Sequence, residues 1–244
     1  MKAIGVIPAR YRSTRLEGKV LADICGKPMI QRVYERACQA ALLDKVIVAT
    51  DDERIRSAVT AFGGEAVMTS PHHASGTDRI GEAIKHVDAE VVVNIQGDEP
   101  LIQPAAIDAV IEPLFKDGSI PMATVMQEIF DPRDHGDPNV VKVVTDINGF
   151  ALYFSRSLIP YPRERIDYHV YQHIGLYAYR KDFLLQYIRL EQTALEKIES
   201  LEQLRVLENG FQIKVMLVEH RQGLGVDTPE DLERVRSLFQ RNSA

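Results

Sequence analysis

Apolar positions along the chain fall into two alternating kinds of run. The first kind is short and nearly unbroken: KAIGVIPA at the start, DKVIVAT at 44–50 and EVVVNIQ at 90–96. Turn residues bound each one, as expected of strands buried on both faces. Between them lie segments with apolar residues at helical spacing. PMIQRVYERACQAAL opens at Pro28, and DERIRSAVTAFGG stops at Gly63 and Gly64. EAVM adds a short strand; GTDRIGEAIKHV and PAAIDAVIEPLF are further helices. Ser75, with Asp78 three residues on, predicts a capped start for the first of these two. Strand and helix alternate through residue 116, which predicts a mostly parallel sheet covered on both faces.

Beyond residue 116 the pattern changes. MATVMQEI, NVVKVVTD, FALYFSR and HIGLYAYR are strand-like and closely spaced, and the D-x-N-G turn at 146–149 suits a hairpin. Antiparallel strands are therefore expected here. KDFLLQYI and SLEQLRVLENG read as helices, the second closed by Gly210. QIKVMLVE is a late strand. PEDLERVRSLFQR is a final helix, with Thr228 at its start and Asp231 at its third position. No internal repeat or low-complexity linker interrupts the chain. Residues 1–244 thus read as one α/β domain with a strand-rich insertion at 119–180.

Composition narrows the class. A chain of 244 residues holds enough material for a substantial core, and 45% hydrophobic with 26% charged residues fits a soluble globular protein. No stretch approaches eighteen consecutive apolar residues, so no membrane insertion is expected. The N-terminal apolar run is too short, and too soon charged again, for an export signal, so a cytoplasmic location is expected. Cys25 and Cys38 make neither a disulfide framework nor a four-ligand zinc site. A net charge of −6 argues against nucleic acid as a partner. It leaves room for a small anion at a locally basic site.

Such a site follows the first strand. VIPARYRSTRLEGK carries Arg10, Arg12, Arg15 and Lys19, with no acidic residue before Glu17. Ligands of open α/β sheets sit beyond the carboxyl ends of strands, and guanidinium groups suit phosphate. A solvated loop is the plainer alternative. Neither a P-loop nor a G-x-G-x-x-G fingerprint is present.

Three other stretches carry polar chemistry. In NIQGDEP, Asp98 follows a nearly uncharged strand, where a carboxylate can hold Mg2+ or simply make a turn. Asp227 in GVDTPEDL stands just before a helix start and has the same two readings. Two carboxylates facing a triphosphate would repel it unless a cation stood between, so the basic loop and the paired acids together imply Mg2+. In HHASGTDR, the backbone N–H groups of a helix start can hold an anion, and Arg79 in the first turn opposes the helix dipole, which suggests ligand contact. The Tyr-, His- and Arg-rich stretch from Arg156 to His173 suits either a hydroxylated acid or a subunit interface.

Read in order, VIPARYRSTRLEGKVLADICGKPMI, HHASGTDR, NIQGDEP, NVVKVVTD, ALYFSRSLIPYPR, YQHIGLYAYR, LEQLRVLENG and VDTPEDLERV resemble the motifs of the 3-deoxy-manno-octulosonate (Kdo) cytidylyltransferase family, the CMP-Kdo synthetases. The resemblance spans nearly the whole chain. It implies a Rossmann-like nucleotidyltransferase α/β fold and a cytoplasmic homodimer. It also implies an enzyme that converts CTP and Kdo into CMP-Kdo and pyrophosphate, activating Kdo for lipopolysaccharide assembly. Carried over residue by residue, it assigns the nucleotide to Ala9, Arg10, Ser13, Arg15, Lys19, Ser75, Gly76, Asp78, Arg79 and Gln96. Mg2+ falls to Asp98 and Asp227, and catalysis to these two with Arg10 and Lys19. The sugar side falls to Arg156, His173, Tyr177, Glu202 and Gln203. Glu17 stands where the family often has proline, and so does Leu158; both are read as tuning.

The implied reaction is in-line attack of the Kdo anomeric hydroxyl on the α-phosphorus of CTP, with Mg2+ on Asp98 and Asp227. Two rivals remain: a cytidylyltransferase for another sugar acid such as sialic acid, and a non-catalytic nucleotide-binding dimer.

Overall fold

A computed structural model describes residues 2–12, 16–164, 168–219 and 225–242. The chain divides into two compact units, residues 1–108 with 222–244, and residues 109–221.

The first unit opens with β1 (Ala3–Ala9), whose residues are buried apart from a partly exposed Pro8. A hairpin of two-residue strands, β2 (Asp23–Ile24) and β3 (Lys27–Pro28), turns through Cys25 and Gly26, both at positive φ. Helix α1 (Met29–Ala37) follows, with Pro28 as its extended N-cap and not in its first turn. Next come β4 (Lys45–Thr50), α2 (Glu53–Ala61), β5 (Ala66–Met68), α3 (Gly76–Ala83) and β6 (Val91–Asn94). Strand order is β6-β1-β4-β5, all parallel, with Ile4 opposite both Lys45 and Val92. Two carboxylates far along the chain tie down loop ends: Asp44 accepts from Ala3 N at 2.8 Å, and Asp108 from Leu42 N at 2.8 Å. The division between the units falls inside α4 (Pro104–Lys116).

The second unit is mixed. Its strand β7 (Met122–Glu128) precedes an antiparallel pair, β8 (Lys142–Thr145) and β9 (Ala151–Ser155), joined through the expected turn. In that turn Gly149, at φ 76°, donates to Asp146 O at 3.0 Å. β10 (Tyr171–Arg180) runs antiparallel to β7 and β8, with a register shift between Ile174 and Tyr177. Helix α5 (Lys181–Tyr187) comes next.

The helix expected over 200–210 is the shorter α7 (Leu204–Glu208), and a helix the sequence pattern did not predict, α6 (Ala194–Glu199), precedes it. Ser200, left-handed at φ 52°, breaks them apart, and the buried Glu196–Arg205 ion pair ties them together. Six residues are too few for a helical apolar pattern to stand out, so α6 is not seen in the sequence. β11 (Ile213–Leu217) lies parallel to β7.

The chain then returns to the first unit with α8 (Pro229–Asn242). Val226, Leu232 and Val235 pack with Ile24 and Met29 in one buried cluster. Arg32 lies 4.7 Å above the Phe239 ring, and Arg236 donates to Asp23 O at 2.9 Å. These contacts fix where α8 begins, and hence where Asp227 stands.

Candidate active site

Where β1 ends, the first unit opens a cavity of about 320 Å³. Two close approaches shape its floor. A Cβ on Gly97 would lie 3.2 Å from the Pro8 carbonyl oxygen, and one on Gly76 would lie 3.3 Å from the Pro8 ring. Absent side chains thus let the β6 loop and the α3 start press against the end of β1. Ala9, Arg10, Lys19, Ser75, Gly76, Arg79, Gln96, Asp98 and Asp227 all line the cavity. Ser13 and Arg15 lie outside the described residues.

At the centre of this cavity is one ammonium between two carboxylates. Gly18, at φ 66°, donates to Tyr11 O at 2.9 Å and turns the chain into a 3₁₀ turn at Lys19–Leu21. Lys19 Nζ then donates to Asp98 Oδ2 at 2.6 Å, Asp227 Oδ1 at 3.1 Å and Val226 O at 3.1 Å. Burial disfavours the ammonium, but Asp98 and then Asp227 outweigh it and raise the Lys19 pKa above its ordinary value. Next to Asp98, burial and that residue's charge push Glu99 up to about 8. This separates two adjacent acids that look alike in sequence.

Asp227 owes its place to the helix start behind it. Thr228 and Asp231 form the expected reciprocal cap: Asp231 N donates to Thr228 Oγ1 at 3.2 Å, and Thr228 N to Asp231 Oδ2 at 3.1 Å. Asp231 also accepts from Asp227 N at 3.2 Å, and Val226 N donates to Asp98 O at 2.9 Å. Asp231 therefore does the capping, and the Asp227 carboxylate faces Lys19.

At α3 the cap is also as expected. Ser75 Oγ accepts from Asp78 N and Asp78 Oδ2 from Ser75 N, each at 3.1 Å. Ser75 and Gly76 line the cavity, whereas the Asp78 carboxylate is turned back to the helix start. Arg79 is only 4% exposed. It donates to Thr69 Oγ1 at 2.6 Å and pairs with Asp51 Oδ2 at 3.2 Å. Sequence reasoning missed Asp51 and Thr69 as its partners. The signal was available, because Asp51 follows β4 as Asp98 follows β6. Gln96 donates to Asn94 Oδ1 at 3.3 Å, and His73 bonds Glu82.

Within the second unit, His173, Tyr177 and Gln203 come together. Thr124 Oγ1 sits 2.8 Å from Leu176 O, 3.2 Å from Ile174 O and 3.0 Å from His173 Nε2. Its single proton goes to a carbonyl, so Nε2 carries the histidine proton. Nδ1 then accepts from Gln203 Nε2 at 3.5 Å, and Gln203 Oε1 accepts from Tyr177 OH at 3.4 Å. Burial pushes the His173 pKa down to about 3, so the ring is neutral at ordinary pH. Arg156 donates to the carbonyls of Glu199 at 2.6 Å, Pro138 at 2.8 Å and Ser200 at 3.3 Å. Tyr187 OH donates to the Glu202 carbonyl at 2.8 Å.

Comparison with known proteins bears on both units. A family model described as cytidylyltransferase matches residues 4–215. The 3-deoxy-manno-octulosonate cytidylyltransferase of Geotalea uraniireducens (strain Rf4) is 54% identical over 246 aligned positions, covering 96% of this chain and 98% of that protein. Its namesake in Solibacter usitatus (strain Ellin6076) is 55% identical over 240 positions, covering 98% and 95%. The chain belongs to the 3-deoxy-manno-octulosonate cytidylyltransferase family. A solved structure, that of CMP:2-keto-3-deoxy-manno-octonic acid synthetase complexed with CTP, matches with a TM-score of 0.96 at 48% identity, covering 99% of this chain and all of that one.

As a cytidylyltransferase of this family, the chain is a nucleotidyltransferase enzyme with the α/β fold that its sequence pattern predicts. The cavity suits such an enzyme in its charge. Arg10 and Lys19 offer donors to phosphate oxygens, and Asp98 and Asp227 offer oxygen donors to a hard cation. Among the described residues, no helix is long and apolar enough to cross a membrane.

Proposed function

We propose that the protein transfers the CMP group of CTP to the anomeric C2 hydroxyl of Kdo, releasing pyrophosphate. The observation that carries this reading is the convergence of Lys19, Asp98 and Asp227, together with Arg10, in one cavity. The donor set fits Mg2+. Two carboxylates converge on a single cationic point, and both offer only oxygen. Among the described residues, no group of three or more His, Cys, Asp or Glu is placed to hold a metal. Two protein carboxylates leave positions for water and phosphate oxygens, the habit of Mg2+. Asp98 and Asp227 would hold the ion; when bound, it supplies charge neutralisation on the phosphates and acidifies a nearby hydroxyl.

The protein's own part is positioning and electrostatics. Arg10 and Lys19, with Ser13 and Arg15, hold the triphosphate in this reading. Ala9, Ser75, Gly76 and Gln96 bound the nucleotide, while Asp78 and Arg79 keep the α3 start and the loop at Thr69 in place. The C2 oxygen of Kdo bonds to the α-phosphorus as the bridge to the β-phosphate breaks, and the hydroxyl proton is lost. Neutral His173, Tyr177, Glu202 and Gln203 are the sugar-side groups. Arg156, engaged with three carbonyls, serves that side by fixing backbone.

We further propose that the enzyme acts in the cytoplasm as a homodimer. Phe130, Leu152 and Tyr161, exposed apolar or aromatic residues within 119–180, support a subunit contact there.

Pyrophosphate release tests the reaction. Purified protein, CTP and Mg2+ are combined with Kdo, sialic acid or no acceptor, with a chelator control. Release with Kdo and metal alone is expected. Release with sialic acid alone would overturn the acceptor. Silence with every acceptor despite tight CTP binding would favour a nucleotide-binding dimer without activity.

A further inference from the structure

Tyr11, between β1 and Lys19, has a support outside the cavity. Helix α2 begins at Asp52, whose Oδ1 accepts from Arg54 N at 2.9 Å as an N-cap. The same carboxylate grips the Arg54 side chain at both ends: Nε to Oδ1 at 2.9 Å and Nη2 to Oδ2 at 2.6 Å. Held in this fork, the Arg54 guanidinium carbon lies 3.3 Å from the centroid of the Tyr11 ring. That is close stacking, within the range where a cation is attracted to an aromatic face. Asp52 does most to hold Arg54 charged, and Glu17 adds its negative charge.

Tyr11 is in turn built into the stem of the loop. Its carbonyl accepts from Gly18 N at 2.9 Å, and a Cβ on Gly18 would lie 3.0 Å from its ring. The ring therefore lies close to Gly18 Cα as well as against the Arg54 guanidinium. Arg10 directly precedes Tyr11, and Lys19 directly follows Gly18; both line the cavity. The Tyr11 ring thus stands beside backbone that leads directly to both of these cations.

We propose that Arg54 is a positioning residue for phosphate binding: stacked on Tyr11 and anchored by Asp52, it sets where Arg10 and Lys19 present their charges. It touches no substrate. The inference rests on the proposed use of CTP. Its substrate class is the same nucleoside triphosphate, and its effect falls on binding more than on chemistry.

A double-mutant cycle on CTP affinity and steady-state kinetics tests it. Removing a stacked guanidinium should raise the CTP dissociation constant and KM about two- to fivefold, with kcat nearly unchanged. Arg54→Ala and Tyr11→Leu should each show this, and the double variant should be no worse than either alone. Tyr11→Phe, which keeps the ring, should behave as wild type. Arg54→Lys should not rescue, because it lacks the planar fork. Unchanged affinity in Arg54→Ala, or additive effects in the double variant, would overturn the proposal.

A ligand-free readout separates this from the proposed function. The chain contains no tryptophan, so Tyr11→Trp installs a single indole. Adding Arg54→Ala should change its emission without any nucleotide; an unchanged spectrum would show that the stack does not form. If wild-type protein binds no CTP, the proposed function falls, while the emission still decides the stack.

Discussion

Lys19 stands where two acids meet, and it serves them as a counter-ion. Its side chain is 14% exposed, and its ammonium bonds both carboxylates. Lys19→Met should therefore have opposite effects on two ligands. Nucleotide-free protein should bind Mn2+ several-fold more tightly, because the acids lose their internal cation, while CTP binding weakens. Titration of Mn2+ followed by electron paramagnetic resonance would read the first effect, and unchanged affinity would sink it. His173 makes a second prediction at this scale. Its folded pKa of about 3 lies below the unfolded value of about 6.5, so the unfolded chain binds the proton first. Its contribution to stability is complete above about pH 6.5 and is lost as pH falls toward 3. Each unit of pH in that window costs about 1.4 kcal/mol. Urea unfolding at pH 7 and pH 5 should show a smaller pH-dependent loss in His173→Gln than in wild type; equal losses would mean that His173 is not the source.

Helix starts carry the site at the scale of elements. Asp231 caps α8 and also holds the backbone of Asp227. Asp231→Ala should lower stability by about 1 kcal/mol through the lost cap and also raise the metal concentration needed for half-maximal turnover. A stability loss with an unchanged metal requirement would show that Asp227 does not depend on the cap. These starts were legible in the sequence because the chemistry is local: Thr228 with Asp231 and Ser75 with Asp78 are each three residues apart. Strand ends were legible too, since apolar runs stop where β1 and β6 stop. What stayed hidden depends on distant partners or on one backbone angle. The Asp51–Arg79 pair joins two separate elements, and the short α6, closed by left-handed Ser200, is held by Arg205 from the next helix. The bonds from Arg156 to the carbonyls of Glu199 and Pro138 likewise join distant parts of the chain, which no spacing reveals.

For the whole molecule, family membership shows a cytidylyltransferase, and the proposed chemistry joins basic residues for phosphate with two acids for a cation. Light scattering after size exclusion should give twice the chain mass if the exposed Phe130, Leu152 or Tyr161 takes part in joining two copies. A monomer at micromolar concentration would contradict that. Asp98 and Asp227 are the proposed metal centre of nucleotidyl transfer. Its most direct test is Asp98→Asn, with turnover measured across Mg2+ concentrations and CTP affinity measured in parallel. Metal-dependent pyrophosphate release should fall by about two orders of magnitude or more while CTP affinity falls much less. Turnover within about tenfold of wild type would contradict it.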